Sequence, residues 1–335
     1  MSAHGTLTAH ALTVGYQIGR ETRSVCANID VVLAPGELVC LLGPNGAGKS
    51  TLMNTLAGAL QPLAGTVLLD GVAIQSLSVR ERAQRIAIVT TERVQAAGLS
   101  GYALVALGRH PHTGWLGALT AGDAARIEEA LEMASASAFR DRQIGELSDG
   151  ERQRLLLARA LAQASSVLIL DELTAFLDLP RRVETMHTLR RLARDAGRAV
   201  LLSTHDLDLA LRCADRIWLL PRNGSLATGI PESLILNGTF AAAFAAEGVE
   251  FDINDGNFRV HQSGGRAISV RGPEPTRHWT TRALQRLGWN VTEDADHCVT
   301  TDNLQQWEVG GSRGEPVSVG TGLDALLTLL GRGTQ

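Results

Sequence analysis

The sequence predicts an α/β domain built on a mostly parallel sheet, followed by a small α+β domain. Three observations lead there. Apolar runs of strand length at 38–42, 167–170 and 200–202 alternate with helical patterns, and such runs suit strands buried on both faces. Between the first run and the helical pattern after it stands Gly43-Pro44-Asn45-Gly46-Ala47-Gly48-Lys49-Ser50, which fits the phosphate-binding spacing G-x-x-x-x-G-K-[ST]. The composition shifts near residue 222, and from about residue 250 short strands, glycines and two amphipathic helices replace the long apolar runs.

Taken in order, residues 5–35 read as short strands with turns, from 7–14 to 29–33. The segments 66–69 and 86–89 add strands, and 123–138 reads as a helix with Ile127, Ala130, Leu131 and Ala134 on one side. A helix follows Leu147-Ser148-Asp149-Gly150, and another spans 181–196 between the two later apolar runs. Strands alternating with helices predict a parallel core sheet. Pro221-Arg222-Asn223-Gly224 is a turn cluster, and Ala-rich 239–247 is a predicted helix. Beyond it, 267–270, 289–291, 297–300 and 307–309 are candidate strands, with helices at 277–287 and 322–330. This appendage, 250–335, is expected to be a small α+β unit, ferredoxin-like, with Trp279 and Trp289 in its core and a regulatory or dimerising role.

The glycine-rich loop carries the only lysine of the chain; every other one of its 31 basic residues is arginine. The chemistry gives a reason. An ammonium is a compact charge on a flexible stem, whereas a guanidinium is a broad planar fork, and a tight loop around β/γ-phosphates has room for the first. Gly43, Gly46 and Gly48 allow positive φ angles, so that successive N–H groups converge on an anion. Residues 43–51, through Thr51, form the expected nucleotide-contacting stretch, with the Ser50 hydroxyl placed for Mg²⁺.

Composition narrows the remaining possibilities. A net charge of −4 gives no reason to expect nucleic acid as a partner. The N-terminus lacks the charged and apolar regions of a signal peptide, and no run approaches the ~18 apolar residues of a membrane span. The expectation is a soluble chain, or one peripheral on a membrane through a partner. Cys26, Cys40, Cys213 and Cys298 are scattered and form no C-x-x-C pair, so they read as buried free thiols.

Further motifs carry the reading beyond a phosphate loop. Leu147-Ser148-Asp149-Gly150-Glu151-Arg152-Gln153 opens a helix, and some twenty residues later an apolar strand ends in Asp171-Glu172. In this ordered set the chain resembles the ATPase subunits of ABC transporters over residues 5 to about 235, with a helical subdomain at about 92–160. The resemblance implies a P-loop NTPase core of ABC ATPase type with a helical signature subdomain. It also implies a homodimer in which Ser148 and Gly150 cap an ATP bound by the second subunit. Asp171 then meets Mg²⁺, Glu172 polarises the attacking water, and Asp178 in a D-loop orients the opposite site. His205, in Ser203-Thr204-His205-Asp206, resembles the switch histidine at the γ-phosphate, and Tyr16 resembles the aromatic that stacks on adenine. Asp149 and Leu173 depart from the family's usual glycine and proline. The usual glutamine of the Q-loop falls on Thr91, and either the Thr91 hydroxyl or the Glu92 carboxylate is expected to replace it.

The segment Val105-Ala106-Leu107-Gly108-Arg109-His110-Pro111-His112 resembles ATPases that import iron–siderophore, haem and cobalamin complexes. That resemblance implies a permease partner on the cytoplasmic face of the membrane and, indirectly, a substrate-binding protein. His110 and His112, with one residue between them and no further ligand cluster, read as packing or groove residues and not as a metal site. The alternative is a soluble ABC ATPase acting on nucleic acid or ribosomes. The roughly 100 residues between Gly48 and Leu147 hold no heptads, and the chain has one ATPase core, which both favour the importer.

Overall fold

A computed structural model describes residues 5–19, 21–90, 98–115, 117–222, 225–245, 249–253, 256–260, 265–302, 306–311 and 316–331. Thr91 and Glu92 lie outside them. The chain divides into two compact units, Met1–Phe244 and Ala245–Gln335.

The first unit begins with β1 (Leu7–Ile18) and β2 (Glu21–Leu33), then β3 (Leu38–Leu42), α1 (Lys49–Leu56), β4 (Ala64–Leu69) and β5 (Val72–Ala73). It continues through α2 (Val79–Arg85), β6 (Ile86–Val89), α3 (Gly101–Ala106), α4 (Ala121–Met133) and α5 (Asp149–Ala162). Then come β7 (Val167–Asp171), α6 (Leu179–Arg194), β8 (Ala199–Ser203), α7 (Leu207–Cys213), β9 (Arg216–Leu219) and β10 (Ala227–Gly229). Short helices α8 (Pro231–Leu236) and α9 (Thr239–Ala243) close it.

Two sheets share the core. One is antiparallel in the order β2-β1-β4-β5; the other runs β10-β9-β3-β8-β7-β6 and is parallel except for β10. Every residue of β3, β7 and β8 is buried, the polar Asp171 and Ser203 at the strand ends included, and the apolar runs before them suit strands covered on both faces. Burying one such Leu, Val or Ile contributes about 2 kcal/mol. Because β3, β7 and β8 run parallel and adjacent, their C-terminal ends lie side by side, and the loops leaving them emerge at one edge of the sheet. Helices α3, α4 and α5 pack on one another to form the helical part of the unit.

The predicted 123–138 helix ends earlier, at Met133. Ser135 takes φ 51, and a separate 3₁₀ turn covers Ser137–Phe139. Of the predicted 239–247 helix, Thr239–Ala243 is helical, and 246–248 lie outside the described residues.

The second unit starts with a hairpin of β11 (Val249–Asp252) and β12 (Asn257–Val260). It continues with β13 (Ala267–Arg271), α10 (Thr276–Arg286), β14 (Asn290–Val291), β15 (His297–Thr301), β16 (Gln306–Gly311), β17 (Pro316–Thr321) and α11 (Leu323–Leu330). Its sheet runs β14-β13-β15-β16-β17, with β13 parallel to both neighbours and the other pairs antiparallel. The ferredoxin-like expectation is therefore corrected, since that arrangement needs an antiparallel four-stranded sheet. The cause is that the β13–α10–β14 crossover sets β14 directly beside β13, with no strand between them, and β15 pairs parallel on the other side of β13. Ile268, Leu284, Trp289, Val299, Trp307 and Leu326 form a core of its own. Trp289 is in that core, but Trp279 is 57% exposed with the Arg282 guanidinium 5.3 Å from its ring centroid. Core packing explains only the first tryptophan.

Candidate functional site

The loop between β3 and α1 is shaped by steric exclusion. A Cβ on Gly43 would lie 2.1 Å from the Leu220 carbonyl oxygen, and one on Gly48 2.3 Å from Val25 Cγ1. Gly48, at φ 101, caps α1 without a side-chain bond, and the first turn of α1 holds no acidic residue. The positive end of that helix is therefore left for an external anion. Lys49 is buried, and its Nζ donates to the carbonyl oxygens of Gly43 at 2.9 Å and Pro44 at 3.3 Å. Burial lowers the Lys49 pKa, while the charges of Glu172 and Asp171 pull the other way.

A cavity of about 520 Å³ opens over this loop. Asn45, Gly46, Gly48, Lys49, Ser50 and Thr51 line one side, Tyr16 and Arg23 another, and Glu172 reaches in from the end of β7. Tyr16 is 43% exposed at the rim, and its hydroxyl is 2.9 Å from Thr51 Oγ1, which fixes the ring beside the loop.

Asp171 and Glu172 leave the same strand end with different surroundings. Asp171 is buried, and register places it opposite Ser203 of β8, whose hydroxyl donates to its Oδ1. Glu172 takes φ 49, a conformation that costs a non-glycine residue of order 1 kcal/mol. Its N–H donates to Ser203 Oγ at 3.0 Å and to the Ser203 carbonyl at 3.2 Å, and its Oε1 lies 2.8 Å from His205 Nε2. Glu172 also lines a second cavity of about 210 Å³ with Thr174, Arg182 and His205, so one residue borders both cavities.

The expected signature residues do not line either cavity. Ser148 caps α5: its hydroxyl accepts from Glu151 N–H at 3.3 Å and donates to Glu151 Oε2 at 2.8 Å, while its own N–H donates to the same oxygen at 2.7 Å. Asp149 pairs with Arg152 at 2.9 Å. A Cβ on Gly150 would sit 3.1 Å from the Phe176 carbonyl oxygen, so the start of α5 packs against 175–178. Asp178 caps α6 by accepting from Arg181 N–H at 3.0 Å. Phe176 and Leu179 are large apolar side chains left exposed beside these caps.

The sequence reading missed Ser203, which orients both acids. No local pattern records it: β7 and β8 are parallel neighbours whose register sets Asp171 opposite Ser203. It also passed over Arg23, Ser24 and Val25, which wall the cavity, and the Cys26 thiol, 3.3 Å from the Ala47 carbonyl. Burial raises the Cys26 pKa. Among the described residues no group of three or more His, Cys, Asp or Glu is placed to hold a metal ion. His112 Nε2 lies 2.8 Å from the Gln163 carbonyl oxygen.

Comparison with known proteins bears on the same residues. A family model described as ABC transporter matches residues 26–175. The iron(3+)-hydroxamate import ATP-binding protein of Bacillus subtilis is 36% identical over 224 residues, 67% of this chain and 82% of that protein. The chain belongs to the ABC transporter family. A model described as Iron ABC transporter C-terminal domain matches residues 265–331 of this ABC ATPase. The cobalamin import ATP-binding protein of Halobacterium salinarum is 41% identical over 219 residues, covering 65% of this chain and 54% of that protein. A dimeric bacterial ABC transporter cassette matches with a TM-score of 0.61 and 27% identity, covering 67% of this chain and 98% of that one. The same cassette in a post-hydrolysis state bound to ADP and Pi matches equally well. The α/β core is thus an ABC ATPase core, and the chain is an ATP-binding and ATP-hydrolysing subunit. No helix among the described residues is long and apolar enough to cross a membrane.

Proposed function

We propose that this chain is the ATPase subunit of an importer for an iron chelate such as a siderophore, for haem, or for cobalamin. It would work as a homodimer on the cytoplasmic face of a membrane permease fed by a substrate-binding protein. The observation that carries the reading is the pairing of two matches on one chain: an ABC ATPase core similar to iron-hydroxamate and cobalamin import subunits, and an iron-transporter C-terminal domain. The alternative, an ATPase acting on nucleic acid or ribosomes, gains no support from these relatives.

The mechanism is phosphoryl transfer to water. Residues 43–51 cradle the nucleotide phosphates, and Lys49 exchanges the loop carbonyls for phosphate oxygens. Tyr16 at the cavity rim stacks on the adenine. Ser50 and Asp171 offer oxygen donors of the kind a hard divalent cation takes, and the Ser203 bond fixes the Asp171 carboxylate. Mg²⁺ bound there would supply charge neutralisation for the phosphates. Glu172 orients and deprotonates the attacking water, and His205, already against its carboxylate, contacts the γ-phosphate. Ser148 of the second subunit turns from Glu151 to a γ-phosphate oxygen, joined by N–H groups from Gly150 at the start of α5.

The test of the transport assignment is a mild-detergent pull-down from native membranes, with co-purifying subunits identified by mass spectrometry. A polytopic permease is the expected partner. Recovery only with ribosomes, DNA or soluble proteins would contradict it.

A further inference from the structure

The C-terminal end of α5 is gripped by a 3₁₀ turn, Leu107–His112, that comes from a distant part of the sequence. A Cβ on Gly108 would lie 2.2 Å from the Arg159 carbonyl oxygen, so the turn rests directly on the helix backbone. Arg109, with its side chain 11% exposed, forks between two elements. Nη1 donates to the Ala162 carbonyl at 2.7 Å, and Nε donates to Asp123 Oδ1 on α4 at 2.8 Å. His112 Nε2 lies 2.8 Å from the Gln163 carbonyl. The Gln163 amide in turn donates to the Ile86 carbonyl at the start of β6, at 2.7 Å.

Ala162 and Gln163 carry carbonyls that a helix leaves unsatisfied at its end, and water would serve them. A guanidinium taken out of water to do so is costly unless well-aligned partners offset the lost hydration. The geometry here is a planar fork bonded to a carboxylate and a carbonyl on different helices, which fixes direction as well as contact. The other end of α5 carries Ser148 and Gly150. Over its 14 residues the helix is about 21 Å long, so a tilt of about 5° at the gripped end moves Ser148 by about 2 Å. Hydrogen bonds to a phosphate survive only a few tenths of an ångström of such error.

We infer that Arg109 is a positioning residue for ATP hydrolysis: by anchoring the C-terminal end of α5, it sets the angle at which Ser148 and Gly150 meet the ATP held by the partner subunit. The inference rests on the two-subunit site proposed above. Arg109 lines neither cavity, and its effect on one subunit appears at the other's phosphates.

The experiment uses the full chain in the Glu172→Gln background and reads two quantities. One is the affinity of the isolated chain for a fluorescent ATP analogue; the other is ATP-dependent dimer formation. If Glu172→Gln alone forms no ATP-dependent dimer, the two-subunit reading fails and the inference fails with it. If it does, adding Arg109→Gln is expected to leave nucleotide affinity within about twofold and to weaken the dimer about tenfold or more. Arg109→Lys keeps a charge for Asp123 but loses the fork, and should fall between the two; it carries the test if Arg109→Gln does not fold. Undiminished dimerisation in the variants overturns the inference. So does a parallel loss of nucleotide affinity, which is the result a merely structural role would produce.

Discussion

Lys49 folds back on the two loop carbonyls that frame it, so its ammonium is satisfied before nucleotide arrives and needs only to change partners. A guanidinium in the same space cannot make that exchange. Lys49→Arg should therefore weaken ATP binding by about tenfold or more, as fluorescence titration would show, although charge is conserved. Glu172 is the complementary case. It borders both cavities, and its backbone conformation is held by Ser203. Glu172→Gln keeps the shape and the bond toward His205 but removes the base. Hydrolysis should fall on the order of 10²–10⁴-fold while ATP affinity is retained, measured by phosphate release and nucleotide titration on one preparation. Wild-type turnover in that variant would remove Glu172 from the role.

At the scale of elements, α4 shows how capping and ion pairing combine. Thr120 and Asp123 form a capping box, and Asp123 also accepts from Arg109. The Thr120 hydroxyl first, then the Thr120 N–H and Arg109, hold the Asp123 carboxyl well below the usual carboxylate range. The folded chain thus keeps Asp123 ionised at pH values where the unfolded chain protonates it. The stabilisation is complete above the unfolded pKa of about 4 and is lost as pH falls from there toward the depressed value. Thermal melts from pH 7 down to 3 should show the gap between wild type and Asp123→Asn constant above pH about 5 and narrowing below about 4; a gap unchanged down to pH 3 would refute the assignment. Elements were legible where one physical cause dominated. β3, β7 and β8 announce themselves because both faces are buried, and Ser148-Asp149-Gly150-Glu151 announces the start of α5 because the capping box and the signature use the same residues. β17 was not legible: Pro316-Val317-Ser318-Val319-Gly320 has little apolar content, and Val319 is 71% exposed. The hairpin β11–β12 and the parallel return of β14 depend on pairings that no local pattern records. In the site, the loop and the two acids were readable from spacing, whereas Ser203 required knowing which strands are neighbours.

At the scale of the whole molecule, two units with separate cores imply two separable stabilities. The apolar cluster around β1, β3 and α1 shares no member with the one around Trp289 and Trp307. Calorimetry of the full chain should resolve two transitions, and removing 245–335 should eliminate one while ATP binding persists. A single transition that disappears with the deletion would show that the units fold as one. Two members of the proposed catalytic constellation lie away from the nucleotide cavity. Ser148 and Gly150 line neither cavity, and the exposed Phe176 and Leu179 stand beside them. A site completed by a second copy accounts for both facts. The measurement that tests this most directly is the molar mass of the Glu172→Gln chain by light scattering, with ATP and Mg²⁺ and then with ADP. A dimer that forms with ATP and dissociates with ADP is the expected result. A chain that binds ATP yet has the same mass in both conditions would contradict it.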